Sequence, residues 1–146
     1  MKVSTKGRYG LRAMVDIASQ EEGVNVPLNK IAERQGISEN YLEQIISTLR
    51  KAGYVKSIRG AQGGYTLNVP AETLKVGDIL RELEGSFVVV DCNNQYSGCG
   101  VDSCKTCVTK DIWERMQDSI DNILDNVMLS DLVNDYLEKI DDLDGE

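Results

Sequence analysis

A mainly α fold with a small β wing is predicted by three features of the 146-residue sequence. Two short apolar-striped segments flank Gly36, two β-rich segments flank the glycines of RGAQGGY, and one long helical stripe fills the region after residue 107. Together they describe a winged helix-turn-helix followed by a long dimerisation helix.

Each element has its own signal. From Ser4 to about Gln20, Leu11, Met14, Val15 and Ala18 recur at helical spacing, and Ser4 is placed to cap the start. Pro27 precedes LNKIAERQG, a short helix with Leu28, Ile31 and Ala32 turned inward; Gly36 ends it, because a left-handed backbone is easily reached there. Ser38 caps the next helix, SENYLEQIISTLRKAG, whose Tyr41, Leu42, Ile45, Ile46 and Leu49 share one side before Gly53. Strands over about 54–59 and 65–69 then form a hairpin, closed by Pro70. A helix over about 75–83, with Val76, Ile79, Leu80 and Leu83 inward, leads to the cysteines.

Beyond Cys107, Val108, Ile112, Met116, Ile120, Ile123 and Val127 step by three or four, with Trp113, Leu124 and Met128 widening the stripe. A helix of roughly twenty residues results. It is too long for so small a domain to cover, so a second copy is the expected partner. Ser130 is placed to cap a last short helix bearing Leu132, Val133, Tyr136 and Ile140, and DDLDGE reads as a solvated tail. The expected organisation is a winged helix-turn-helix over 1–83, a cysteine loop over 84–107, dimerisation helices over 108–140 and an acidic tail over 141–146.

Hydrophobic content of 41% with 27% charged residues excludes wholesale disorder. The sequence has no apolar run of the roughly 18 residues a membrane span needs and no apolar signal region in MKVSTKGRYG, so a cytoplasmic protein without membrane contact is expected. The net charge of −8 conceals an asymmetry. Residues 1–60 carry ten Lys plus Arg against six Asp plus Glu, a net of +4; residues 61–146 carry six against eighteen, a net of −12. A basic front half is the footprint of a phosphate partner, here double-stranded DNA.

Once the apolar stripe of the second motif helix is assigned, Asn40, Glu43, Gln44, Ser47 and Lys51 remain on a shared face. Asn and Gln pair with adenine edges, Ser donates or accepts, and Lys suits phosphate. Glu43 is repelled by phosphates yet accepts from the amino group of cytosine, so it penalises most sequences and favours a few. Its bland alternative is a solvated pair with Lys51 or Arg50. Arg59, beside Gly60 at the wing tip, suits a minor groove, where potential is most negative over A·T pairs. Lys2, Lys6, Arg8 and Arg12 on the first helix are candidate phosphate contacts. RGAQGGY is not followed by a helix, which argues against a phosphate loop.

All four cysteines fall in CNNQYSGCGVDSCKTC, as Cys92, Cys99, Cys104 and Cys107 with spacing C-x6-C-x4-C-x2-C, and the chain has no histidine. Four thiolates hold a two-iron cluster, a four-iron cluster or tetrahedral Zn²⁺, and spacing alone does not separate these. Disulfides fit a reducing compartment poorly. Without histidine there is no ordinary Ser/His or Cys/His pair, so an enzyme is not expected. A small iron-sulfur electron carrier would leave the helix-turn-helix and wing without purpose.

The opening VSTKGRYGLRAM, the block ISENYLEQIISTLRKAGYVKSIRGAQGGY, the cysteine cluster and the long helix after it resemble, in that order, the winged-helix regulators typified by IscR, NsrR and CymR. The resemblance runs from residue 1 to about 140 and is strongest to the IscR branch. It implies a dimeric transcription factor that reads DNA with its wing and second motif helix, pairs subunits through the long helix, and senses iron-sulfur cluster status to control cluster-assembly genes. It implies base-reading positions at Glu43 and Gln44 and a minor-groove position at Arg59. CymR-type members lack clustered cysteines here, and the acidic N-terminal ligand of the NsrR branch has no counterpart in KGRYG, where Arg8 stands. The IscR pattern uses three cysteines and a histidine; Cys107 takes the histidine's place, and the gaps of six and four depart slightly from the usual ones. The expected cofactor is therefore a 2Fe-2S cluster, with a 4Fe-4S cluster or Zn²⁺ in a thiol-sensing or zinc-stabilised repressor as alternatives.

Overall fold

The computed structural model describes residues 2–90 and 106–145, so Cys92, Cys99 and Cys104 lie outside the described residues. Its elements are α1 (Thr5–Ala18), α2 (Leu28–Gln35), α3 (Glu39–Lys51), β1 (Val55–Ile58), β2 (Gly64–Leu67), α4 (Val76–Glu84), α5 (Lys110–Asn126) and α6 (Leu129–Asp144). The expected mainly α fold with a β wing is the one found.

Local chemistry sets the helix-turn-helix. Gly36 adopts φ 67°, ψ 36° at the end of α2, and the N–H of Ile37 donates back to Ala32 O at 3.1 Å. Ser38 then accepts from Tyr41 N at 3.2 Å, starting α3. Leu42, Ile45, Ile46 and Leu49 are all fully buried, as the stripe requires, and pack with Met14, Ile31, Val55 and Leu129 in the main core. The wing pairs antiparallel, Val55 opposite Leu67 and Ile58 opposite Gly64. It is fixed to the body by a bridge in which Val26 and Tyr65 exchange N–H···O bonds of 2.8 Å. Gly64, at φ 156°, has no Cβ to meet the Val26 backbone, which is what allows that approach.

A polar cluster around the buried Asp16 binds α1 to α2. The Asp16 side chain, 2% exposed, accepts from Arg34 Nε (2.9 Å), Arg34 Nη2 (2.6 Å) and Gln35 Nε2 (3.0 Å), and its hydrogen bond raises the Arg34 pKa. Charged hydrogen bonds of this kind stabilise, but Arg34 is 40% exposed and water screens it. Asp16→Ala is therefore expected to cost about 2 kcal/mol. Urea unfolding measures this; a midpoint unchanged from wild type would contradict it.

The rear of the molecule differs in detail from the sequence expectation. α5 spans 17 residues, and its apolar positions divide between two faces. Leu124 is buried against Val76, Leu80 and Phe87, with Ile120 and Val127 beside it, whereas Ile112, Met116 and Ile123 face outward. Ser130 does not cap α6: Met128 holds the cap position, and its N–H donates to Asp131 Oδ2 at 2.9 Å. Tertiary pairing causes the shift, since Leu129 N donates to Leu74 O (2.8 Å) and Ser130 N to Ala71 O (3.1 Å). Nor is the last helix short. It runs 16 residues and carries 141–144 with it as exposed helix, because no proline intervenes before Gly145.

Arg81 links α4 to α5 by donating to Asp125 Oδ1 at 2.7 Å, with Asp78 at 3.6 Å and Asp121 at 3.7 Å. The same hydrogen bond holds the Asp125 carboxyl below its ordinary range. A carboxyl with a depressed folded pKa contributes stability that is complete above its unfolded value, about 4, and is lost as pH falls through the folded one. Acidification below about pH 4 should thus loosen the α4–α5 contact, and Asp125→Asn should remove that part of the acid dependence. Thermal midpoints against pH for both proteins test this; superimposable acid limbs would contradict it.

Candidate nucleic-acid interface

The polar flank of α3 is built as the sequence suggests. Asn40, Glu43, Gln44 and Lys51 are exposed and Ser47 is half-buried. Among the described residues none of these five side chains makes a hydrogen bond or ion pair. Glu43 in particular is not paired with Arg50 or Lys51. An uncompensated carboxylate in the middle of a polar face is available to a partner, which weighs against the solvated-pair alternative.

The wing continues this surface. Arg59 is exposed beside Gly60, which adopts φ 113° at the tip. A hollow of about 390 Å³ separates the tip from the end of α3, lined by Pro27, Arg50, Ser57, Arg59 and Tyr65 among others. Arg50 and Arg59 both line it. In the sequence Arg50 is only a neighbour for Glu43; its place on this hollow depends on how the hairpin folds back.

The N-terminus of α1 adjoins α3. Thr5 Oγ1 lies 3.2 Å from Tyr41 Oη, and the Tyr9 and Tyr41 rings meet edge to face at 6.1 Å. Lys6 is half-buried and Arg8 exposed, both without side-chain partners among the described residues. Arg12 is committed elsewhere: it donates to Gln35 Oε1 (2.9 Å) and Gln35 O (3.1 Å) and lies 5.4 Å from the Tyr9 ring centre. It braces the end of α2 and is not a free phosphate contact. The spacing of Arg12 and Gln35 in sequence gives no hint of this.

Of the four cysteines, Cys107 alone lies among the described residues. It is exposed, 3.2 Å from Thr109 Oγ1, and that hydrogen bond, seconded by Lys110, lowers its pKa. The donor set of the whole chain, four cysteines and no histidine, is soft and anionic, which fits an iron-sulfur cluster or zinc. The stretch after α4 is clasped by α5: Gln117 Nε2 donates to Phe87 O at 2.7 Å while Gln117 Oε1 accepts from Val89 N at 3.0 Å. That clasp was not anticipated from sequence, where Gln117 is one more polar residue on a helix.

Residues 3–135 match the Rrf2 family model, described as an iron-dependent transcriptional regulator. The HTH-type transcriptional regulator IscR of Escherichia coli O1:K1 is 42% identical over 135 residues, covering 92% of this chain and 81% of the relative. Among solved structures, CymR, the global cysteine regulator of B. subtilis, superposes with a TM-score of 0.78 at 40% identity, covering 92% of this chain and 97% of its own. IscR of T. potens gives 0.73 at 48% identity, covering 93% and 88%. Backbone likeness thus spans both branches, while identity is higher to the IscR structure. These relatives are transcriptional regulators and not enzymes, and the chain belongs to the Rrf2 family of iron-dependent transcriptional regulators.

Proposed function

We propose that this chain is a cytoplasmic, homodimeric DNA-binding regulator whose operator preference responds to an iron-sulfur cluster held by Cys92, Cys99, Cys104 and Cys107. The unpartnered polar face of α3 carries the DNA-binding part of this reading. Glu43 and Gln44 read base edges in the major groove, flanked by Asn40 and Ser47, with Lys51 on phosphate. Arg59 enters the minor groove from the wing, and Lys6 and Arg8 neutralise backbone phosphates from the start of α1. The outward stripe of α5, with Ile112 48%, Met116 45% and Ile123 63% exposed, supports a second copy as its cover, since lone apolar stripes of this length are rare on monomers. The division into reading unit (1–83), loop (84–107), dimerisation helices (108–140) and acidic end (141–146) follows from these roles.

When bound, the cluster supplies a redox- and oxygen-sensitive crosslink of the loop; a 2Fe-2S cluster is preferred, in keeping with the higher identity to an IscR. The chain's own contribution is to present four thiolates, with Cys107 held toward its ionised form at the root of α5. Gln117 keeps the other root against the same helix. A cluster tying Cys107 to the cysteines that follow α4 is a change the reading unit can sense, because α4 runs toward them directly from the main core.

Iron, acid-labile sulfide and zinc analysis of protein purified without oxygen tests the reading. Equal iron and sulfide per chain is expected. Stoichiometric zinc without sulfide would instead establish the zinc-stabilised repressor that the Cys104/Cys107 pair also suits.

A further inference from the structure

The start of α1 is held by a residue from the far end of the winged unit. Glu84, the last residue of α4, accepts at Oε1 from the N–H of Ser4 (3.0 Å), the N–H of Gly7 (2.9 Å) and the Ser4 hydroxyl. A carboxylate there meets both the unpaired N–H groups of the first turn and the positive end of the helix dipole. Ser4 is also the cap residue predicted from sequence, but its own acceptance from Gly7 N is long, 3.4 Å, so Glu84 is the closer acceptor. Room for the carboxylate exists because residue 7 is glycine: a Cβ at Gly7 would run into Glu84 Oε1. One turn on, Gly10 admits Leu83 in the same way. Two glycines three apart on a helix face thus mark where α4 presses on α1.

This contact lies between the two halves of the proposed function. On one side Thr5 meets Tyr41 of α3, which sits two residues before Glu43. On the other side Gly85, at φ 84°, turns the chain toward Phe87 and Val89, the pair clasped by Gln117. The backbone from Glu84 to Val89 thus joins the Gln117 contact to the Ser4 and Gly7 contacts, and Thr5 beside Ser4 reaches Tyr41 of α3.

We infer that Glu84 is a positioning residue for the DNA-contacting surface, the latch through which the state of the cysteine loop reaches Lys6, Arg8 and α3. The inference rests on the sensing role proposed above. Glu84 touches no DNA in this scheme; a shift of the end of α4 moves the first turn of α1 through the shared carboxylate oxygen.

The test measures affinity for one operator duplex at fixed salt, with cluster-loaded and apo protein, together with the slope of log affinity against log salt for the apo form. Wild type is expected to show a loaded-to-apo difference in the 5- to 150-fold range usual for coupled sites. Glu84→Ala is expected to bring that ratio close to one with the cluster's visible absorbance retained. Its apo salt slope should also be shallower by about 1–2, the loss of one or two phosphate contacts. Glu84→Gln keeps the accepting oxygen and should keep most of the ratio. Gly7→Ala should mimic Glu84→Ala, and the double variant should be no worse than either. Glu84→Asp, which withdraws the carboxylate by one methylene, carries the same prediction in smaller measure and serves where Glu84→Ala does not fold. A wild-type ratio and slope in the Ala or Asp variant overturns the latch, as does a uniform affinity loss that follows thermal stability and leaves the ratio intact. A ratio of one in wild type itself overturns the sensing role and the latch with it, so the two failures are told apart.

Discussion

Exchange of Cys107 for histidine is expected to raise the reduction potential of the cluster-bearing protein by on the order of 100 mV and to make it fall with rising pH. A thiolate ligand adds negative charge and favours the oxidised state, whereas neutral imidazole withdraws that charge and brings a titratable N–H. Cys107 is suited to the anionic role: it is exposed, its thiol pKa is lowered by the Thr109 hydroxyl, and Lys110 adds positive charge at the start of α5. Voltammetry of wild type and Cys107→His across neutral and mildly alkaline pH measures both effects. Equal potentials with equal pH dependence would mean that Cys107 is not a ligand of the redox centre.

Removal of the Glu43 carboxylate is expected to relax operator choice. In wild type the charge is unpaired on the exposed flank of α3 among the described residues, and in the proposed reading every phosphate and every base-edge acceptor near it is penalised while only an amino group opposite it offsets the cost. A single well-formed base contact discriminates by about 1–3 kcal/mol, so Glu43→Ala should bind rejected duplexes roughly tenfold or more tightly. Accepted duplexes should change little or weaken. Anisotropy titrations against a panel of duplexes at one salt concentration resolve this. A parallel shift across the whole panel would identify Glu43 as a general electrostatic term with no part in selection.

The local parts of the fold were legible because each rests on a local signal. Gly36 and Ser38 mark the turn of the helix-turn-helix, the glycines of RGAQGGY mark the wing, and the α3 stripe marks its own buried side. What escaped sequence reading depends on contacts between distant elements. Ser130 has the right chemistry for a cap, yet pairing of Leu129 with Leu74 moves the start of α6 two residues earlier. Leu124 fits the outward stripe of α5 by period but belongs to the α4 contact. The same limit applies to the candidate interface. Asn40, Glu43, Gln44, Ser47 and Lys51 share a face by spacing alone, whereas the commitment of Arg12 to Gln35 and the placement of Arg50 opposite the wing follow from tertiary packing. Glu84 had a faint signal: Gly7 and Gly10 on an otherwise regular helix indicate a close neighbour, though not which one.

The central claim, that four thiolates tune how this regulator reads DNA, is tested most directly by the affinity of one operator for cluster-loaded and apo protein at identical salt. The account predicts a difference of several-fold or more that disappears when Cys107 is replaced by alanine. Identical affinities of the two forms on every operator tried would contradict it.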